Sequence, residues 1–280
     1  MILFVAGLIT VGIPHGGADR LIAIKTSGRH NLNFSSQRFT LVYCGQILLF
    51  FLFFYLFPHL AILLFLLLSA YHFGETDIPR IHPTKLGKLV RLTYGMFILG
   101  MILLPNFSSV QATLIHLNPY GGGAAIIQWT GQHHTMVLLI IFALFGISML
   151  TYSLMFQKHF LPDWKATLRF LLLLVIIYQL PLLLSFTFYF IFWHSISSLK
   201  RMVIYLLEDQ SFDHPTVFKE IFKNSLIVLA GICLVSYTSS FFFKNADMAL
   251  YAIIGLAALT GSHMHVAHGM HQHYTGSQKT

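Results

Sequence analysis

Residues 47–57 read ILLFFLFFYLF, an apolar run without a charged residue. Comparable runs recur at residues 61–70, 137–145 and 170–177. Runs of this kind predict segments that cross a membrane. Helices are favoured because a lipid-exposed backbone must satisfy its own hydrogen bonds, whereas barrel strands would alternate polar and apolar residues. These runs do not alternate, so the sequence predicts an all-α, polytopic membrane helix bundle.

The composition of the 280 residues points to the same fold class. Hydrophobic residues make up 56% of the chain and charged residues only 9%, whereas a soluble domain carries about 25% charged residues. The formal net charge is +8, but the basic residues lie in short clusters between apolar runs, where they set topology, and we expect no nucleic-acid partner. We predict a single integral-membrane helical domain over residues 1–280, with a polar, histidine-containing tail over residues 268–280.

The apolar segments predict eight or nine transmembrane helices. Pro58 and Pro181 divide two longer runs, because proline lacks the N–H group that a helix interior needs. All Lys and Arg residues except Lys244 then fall on the side reached after odd-numbered helices. The positive-inside rule places this side in the cytoplasm and the N-terminus outside, as in a multi-pass protein of the cell inner membrane. The predicted segments are residues 1–14, 40–57, 59–74, 89–104, 135–157, 166–180, 182–205, 224–242 and 247–267.

Histidine is the residue type most suited to chemistry in this chain, which contains 16 of them. Four histidines stand in distinctive settings, namely IPHGGAD at residues 13–19, SAYHFGETD at 69–77, FWHS at 192–195 and LTGSHMH at 259–265. Ionisable residues at membrane depth are expensive and usually face a bundle interior with a function. Imidazole is also the usual ligand of iron, copper and zinc.

The predicted topology places three of these histidines at one depth. His15, His72 and His194 each precede a basic residue of the cytoplasmic side by five to eight positions. At 1.5 Å per residue they lie about 10 Å inside that boundary. Three imidazoles at one depth on parallel helices predict a shared metal ion, and His263 is a fourth candidate whose depth is not set by a nearby basic residue. The alternative for each histidine is a hydrogen bond to a neighbouring carbonyl group.

Acidic residues follow two of the histidines closely. Asp19 comes after the first, and Glu75 and Asp77 come after the second. Carboxylates in such positions fix the tautomers of metal-binding imidazoles. They are equally explained as charges at the membrane interface, and both interpretations stay open.

Three blocks of sequence resemble the signatures of one membrane family. PHGGAD at residues 14–19, HFGETD at 72–77 and WHS at 193–195 are similar to blocks of the bacteriorhodopsin-related-protein-like (Brp/Blh) family of β-carotene 15,15′-dioxygenases. The resemblance extends over essentially the whole chain in length, block order and hydropathy. It implies one Fe(II) bound by His15, His72 and His194.

The chain departs from this family at one ligand position. The family pattern has a further iron-binding histidine four residues after that of the WHS block, where this chain has Ser198. Serine is a poor ligand for Fe(II). Three explanations stay open: His263 supplies the fourth nitrogen, three histidines and water hold the ion, or iron binding is lost.

The resemblance implies a reaction and its partners. β-Carotene would enter from the lipid bilayer and react with dioxygen at its central double bond to give two retinal molecules, which a retinal-binding rhodopsin could receive. Tyr71, Phe188, Phe192 and Trp193 are candidates for the wall of the substrate tunnel. The alternative for these aromatic residues is packing between helices or contact with lipid.

Other functions stay open beside this one. A non-enzymatic carotenoid- or retinal-binding protein, or a rhodopsin-assembly factor, is consistent with Ser198. A di-iron oxygenase would use clustered cytoplasmic histidines, but His133 and His134 lie in the longest predicted connection, residues 105–134, which contains no Lys or Arg and is predicted to be external. A metal transporter would place acidic residues at mid-membrane, whereas those of this chain lie at helix ends.

Overall fold

A computed structural model describes residues 6–29, 31–116, 124–156, 164–208, 212–242 and 248–276. Within these ranges every regular element is helical and none is a strand, which confirms the all-α prediction. Five helical segments of the described chain are long and apolar enough to cross a membrane. They support a membrane protein, whereas the count of eight or nine spans, the orientation and the inner-membrane location stay predictions. The five segments are Ser36–Leu56, Pro58–Asp77, Lys85–Leu103, His134–Met155 and Leu182–Leu207.

The described helices follow one another with short connections. Two of the helical segments are π-helical, Leu8–Gly12 and Phe188–Ser195. In chain order the α-helices are α1 (Ile13–Gly17), α2 (Asp19–Arg29), α3 (Ser36–Leu56), α4 (Pro58–Asp77), α5 (Lys85–Leu103), α6 (Phe107–His116), α7 (Ala124–Gln132), α8 (His134–Met155), α9 (Trp164–Gln179), α10 (Leu182–Thr187), α11 (Ile196–Leu207), α12 (His214–Phe242) and α13 (Met248–Gly276).

Helix boundaries follow from side chains that cap or interrupt them. The Ser35 hydroxyl accepts a hydrogen bond from the Arg38 N–H and begins α3, and the Thr84 hydroxyl does the same for the Gly87 N–H at the start of α5. Such caps satisfy N–H groups that have no partner in the first turn. Pro58 and Pro181 separate neighbouring helices as predicted, since proline is tolerated only at a helix start.

The interval predicted as one long connection, residues 105–134, is more structured than expected. It contains α6 and α7, while residues 117–123 lie outside the described ranges. Both helices are short, with 10 and 9 residues, and fall well below the roughly 20 residues of a membrane span. Neither helix is therefore long enough to cross a membrane by itself.

The helices group into two compact units. The first unit comprises Met1–Phe65 and Trp193–Thr280, and the second comprises Leu66–Phe192. The prediction of a single domain stays a prediction. So does the polar tail over residues 268–280: α13 continues through Gly276, and residues 277–280 lie outside the described ranges.

The core of the first unit joins α2, α11, α12 and α13. A buried lysine holds two of these helices together, because the Lys25 amino group donates to the backbone carbonyls of Tyr205 and Glu208. These carbonyls end α11, where a helix has no further N–H groups to offer and where its dipole favours a cation. The sequence predicts Lys25 only as a charge that sets topology, whereas in the structure it caps the C-terminus of α11. The buried members of this core are Ala18, Leu21, Ile22, Met202, Tyr205, Leu206, Val217, Ile221, Ala267 and Met270.

In the second unit α4 and α5 pack with their backbones in close contact. A methyl group at Gly74 would overlap the backbone carbonyl of Arg91, and one at Gly95 would overlap that of Ala70. Small residues allow such an approach between membrane helices, where close packing replaces the hydrophobic effect. This approach brings the polar side chains near the end of α4 within reach of α5.

Candidate metal centre

The first histidine is placed by a short helix with two glycines. His15 lies in α1 and is buried. Two residues later, a methyl group at Gly17 would lie 2.7 Å from the Ile221 carbonyl oxygen, whereas one at Gly16 would meet nothing within 4 Å. The absence of a side chain at Gly17 therefore lets α1 lie directly against α12 and fixes the position of His15.

Three of the four predicted histidines come together in the first unit. The ring of His15 lies edge-on to that of His194, with centroids 5.4 Å apart, and edge-on to that of His263, with centroids 4.4 Å apart. All three side chains are buried. His194 lies in the π-helical segment Phe188–Ser195, and π-helical turns are frequent at functional sites.

A carboxylate holds one of these rings. His263 Nδ1 lies 2.8 Å from Asp19 Oδ1, and the Tyr43 hydroxyl donates to Asp19 Oδ2 at 2.9 Å. The Ser262 hydroxyl donates in turn to the Tyr43 backbone carbonyl at 3.2 Å. A buried carboxylate is costly unless it is hydrogen-bonded, and here both of its oxygens have partners. Asp19 thus links α2, α3 and α13 beside the cluster.

This contact decides which nitrogen of His263 is available. When Asp19 is ionised, its oxygens only accept hydrogen bonds, and the Nδ1 atom of His263 then donates to Oδ1. The Nε2 atom then carries the lone pair that a metal ion requires. A carboxylate–histidine pair of this kind is the usual support of a metal-binding imidazole.

The second unit contains His72 and a different polar cluster. His72 is buried on α4. The guanidinium of Arg91 forms an ion pair with Glu75, with 3.5 Å between Nη1 and Oε1, and also donates to the Ile81 carbonyl at 2.6 Å. Both charged side chains are buried. The sequence predicts Arg91 as one of the cytoplasmic charges that set topology, and its pairing with Glu75 adds a structural role.

Asp77 is the other carboxylate near His72. Its Oδ2 atom accepts hydrogen bonds from the hydroxyls of Tyr94, at 3.1 Å, and Tyr189, at 2.8 Å. The Tyr189 ring also packs edge-on against Phe73, with centroids 5.0 Å apart. These contacts tie the π-helical segment to α4 and α5. The sequence predicts neither tyrosine as a partner of Asp77, because no local motif marks these contacts.

The donor set fits a transition-metal ion. In the first unit His15 and His194 are buried, their rings lie together, and each ring offers a nitrogen to an ion. Imidazole suits iron, copper and zinc. The ring of His263 packs closer to His15 than that of His194 does.

Comparison with known proteins gives the family. Residues 6–271 match the family described as beta-carotene 15,15′-dioxygenase. The chain belongs to this family. A relative of that name from uncultured marine bacterium 66A03 is 27% identical over 265 residues, which cover 92% of this chain and 89% of the relative. No solved structure matches the chain.

Membership in the beta-carotene 15,15′-dioxygenase family confirms the resemblance seen in the sequence and leaves its one departure in place. Ser198 is buried, and within the described ranges its hydroxyl makes no hydrogen bond. The same holds for the hydroxyl of Ser195. Two buried hydroxyls without protein partners are unusual. Both belong to residues that follow His194 within about one helical turn.

The aromatic residues predicted for a substrate tunnel differ in exposure. Tyr71, Phe188 and Trp193 are half-buried, and Phe192 is exposed. Phe188 and Phe192 pack against each other with ring centroids 5.4 Å apart. Their role in the tunnel stays a prediction.

Proposed function

We propose that this chain cleaves β-carotene at its central double bond with dioxygen and bound Fe(II), giving two molecules of retinal. The double bond breaks and two carbonyl groups form, so one dioxygen molecule accounts for both oxygen atoms. Family membership and the name of the relative support the reaction. The observation that carries the proposal is the pair of buried histidines His15 and His194 in the first unit, whose rings lie edge-on with centroids 5.4 Å apart.

The choice of iron follows from the chemistry of the donors and of the reaction. Imidazoles bind zinc, copper and iron, but zinc has no redox chemistry and so cannot activate dioxygen. Bound Fe(II) supplies the electrons that activate dioxygen. A site with few protein ligands leaves open positions for it.

In this proposal, the protein's own residues hold the ion, orient the imidazole rings and keep water away from the site. His15, His72 and His194 would hold the ion, and Asp19 holds His263 through its Nδ1 atom. Burial of these side chains excludes water, which protects reactive species from side reactions. Tyr71, Phe188, Phe192 and Trp193 line the path of the polyene, and the depth at which they hold it selects the central double bond.

The substrate and products share the membrane with the protein. β-Carotene is too apolar for water, so it enters laterally from lipid, and retinal leaves the same way. The five apolar helices that could cross a membrane support this route. Transfer of retinal to a rhodopsin partner stays a prediction.

Expression in β-carotene-accumulating bacteria tests the proposal. The parent chain should bleach the orange colour and give retinal by chromatography, and His194→Ala should lower retinal by more than about a hundredfold, because removing a group essential to the chemistry costs several kcal/mol of barrier. His265→Ala, at an exposed position of α13, is the control and should keep parental output. Immunoblots of the membrane fraction show that each variant is present. Unchanged retinal from His194→Ala would contradict the proposal.

A carotenoid- or retinal-binding protein without enzymatic activity is the second candidate. The buried serine at position 198, where the family pattern has a histidine, is the observation that favours it. Such a protein would retain carotenoid through purification without producing retinal. The same expression strain therefore separates the two candidates.

A further inference from the structure

In the first unit, a further imidazole is held beside His15 and His194 in the manner of a metal ligand. The His263 ring lies against that of His15, with centroids 4.4 Å apart. Its Nδ1 atom is engaged by Asp19, whose second oxygen is held by Tyr43. This leaves Nε2 as the nitrogen with a lone pair, and carboxylate support of the other nitrogen raises its basicity.

One helical turn after His194, at position 198, the chain has no second histidine that could offer a ring nitrogen. Residues one turn apart share a helix face, so a histidine at position 198 could reach an ion bound by His194. This position is a buried serine whose hydroxyl, within the described ranges, has no hydrogen-bond partner. A hydroxyl is a weak ligand, and any fourth nitrogen has to come from another helix.

We propose that His263 supplies this fourth nitrogen, so that the ligand is carried by α13 instead of α11. The proposal rests on the metal site of the proposed function. Asp19 and Tyr43 act as positioning residues that hold the ring and its tautomer. The Ser198 hydroxyl is left to hydrogen-bond an oxygen-containing ligand at the site.

Metal binding to the purified chain in detergent tests this assignment, with Co(II) as a spectroscopic probe and Fe(II) content measured by mass spectrometry. His263→Asn is the central variant, because its amide N–H replaces Nδ1–H toward Asp19 but offers no comparable ligand. We expect at least a tenfold loss of Co(II) affinity and a changed visible spectrum. Adding Ser198→His should recover most of the affinity. His265→Asn, at the exposed position two residues away, is the matched control and should bind like the parent.

X-ray absorption of the Co(II)-loaded parent chain gives a result that does not depend on the folding of a variant. Four imidazoles around the ion support the assignment, and three overturn it. Parental Co(II) affinity and spectrum in His263→Asn overturn it as well.

His15→Ala separates this inference from the function on which it rests. If His15→Ala loses Co(II) binding while His263→Asn binds like the parent, only the assignment of His263 as the fourth ligand is overturned. If His15→Ala binds Co(II) like the parent, both the metal site and the proposed function are overturned.

Discussion

The acidic residues that follow His15 and His72 occupy similar places in the sequence but are used differently. In the first unit Asp19 joins an imidazole to the phenol of Tyr43. In the second unit Glu75 is paired with a guanidinium, and Asp77 accepts from two tyrosines. One cluster therefore orients a candidate ligand, while the other fastens one helix to its neighbours. A carboxylate next to a histidine in sequence does not by itself indicate which task it performs.

The energetic consequences of the two clusters should differ as well. A carboxylate bonded to an imidazole changes the basicity and direction of that ring, so its removal should mainly lower metal affinity. Removing one partner of a buried ion pair between two helices should mainly lower the free energy of unfolding, because the other charge stays buried and unpaired.

The largest expected effect is in the second cluster. Glu75→Ala leaves the Arg91 guanidinium buried without its carboxylate, and we expect a loss of about 3–5 kcal/mol in the free energy of unfolding. Unfolding in mixed detergent with increasing dodecyl sulfate measures it. The double variant Glu75→Met/Arg91→Met should recover most of the loss, since apolar replacement of a buried pair is often neutral. A loss as large in the double variant would show that the pair is not the cause.

A pair of neighbouring glycines sharpens the comparison in the first cluster. Gly17→Ala places a methyl group against the Ile221 carbonyl, and we expect a loss of about 1–3 kcal/mol in stability, as for other overpacked sites. Displacement of α1 should also lower Co(II) affinity, since this helix carries His15. Gly16→Ala is the matched control, because open space surrounds that position. Equal behaviour of the two variants in thermal unfolding and Co(II) titration would contradict the close approach of α1 and α12.

The same substitution made once in each cluster should have an effect on stability no larger than that of Gly17→Ala. Tyr43→Phe and Tyr94→Phe each remove one hydrogen bond to a buried carboxylate, and each should cost about 1–3 kcal/mol in stability. Only Tyr43→Phe should also weaken Co(II) binding, by roughly tenfold, because only its carboxylate holds His263. Co(II) titration of both variants compares them directly. Equal loss of affinity in both would remove the distinction between the clusters.

Part of this arrangement could be predicted from the sequence, and the limit has a physical cause. The spacing from basic residues predicts His15, His72 and His194 at one depth, and the rings of His15 and His194 do lie together. Depth does not give the direction in which a side chain leaves its helix, so the partners of Asp19 and Asp77 could not be assigned. Only the packed helices determine those directions.

Two basic residues also show what the sequence pattern leaves undetermined. The sequence predicts Lys25 and Arg91 as charges on the aqueous side that set topology, but both side chains are buried. A positive-inside count assigns every cation to the aqueous side. The positive-inside rule therefore does not identify a cation that is buried because it caps a helix or neutralises a carboxylate. Arg91 lies near the start of a long apolar stretch, and that position was the available hint of a buried partner.

The two π-helical segments make the site sensitive to chain length. One of them, Leu8–Gly12, ends three residues before His15, and the other contains His194. A π-helical turn contains about one more residue than an α-helical turn. Each residue of an α-helix rotates the side-chain direction by about 100° around the helix axis. If either stretch tightened to α-helix without losing a residue, the side chains at its end and beyond it would turn to another side of the helix. The number of residues in these two turns, as much as their identity, sets where the rings point.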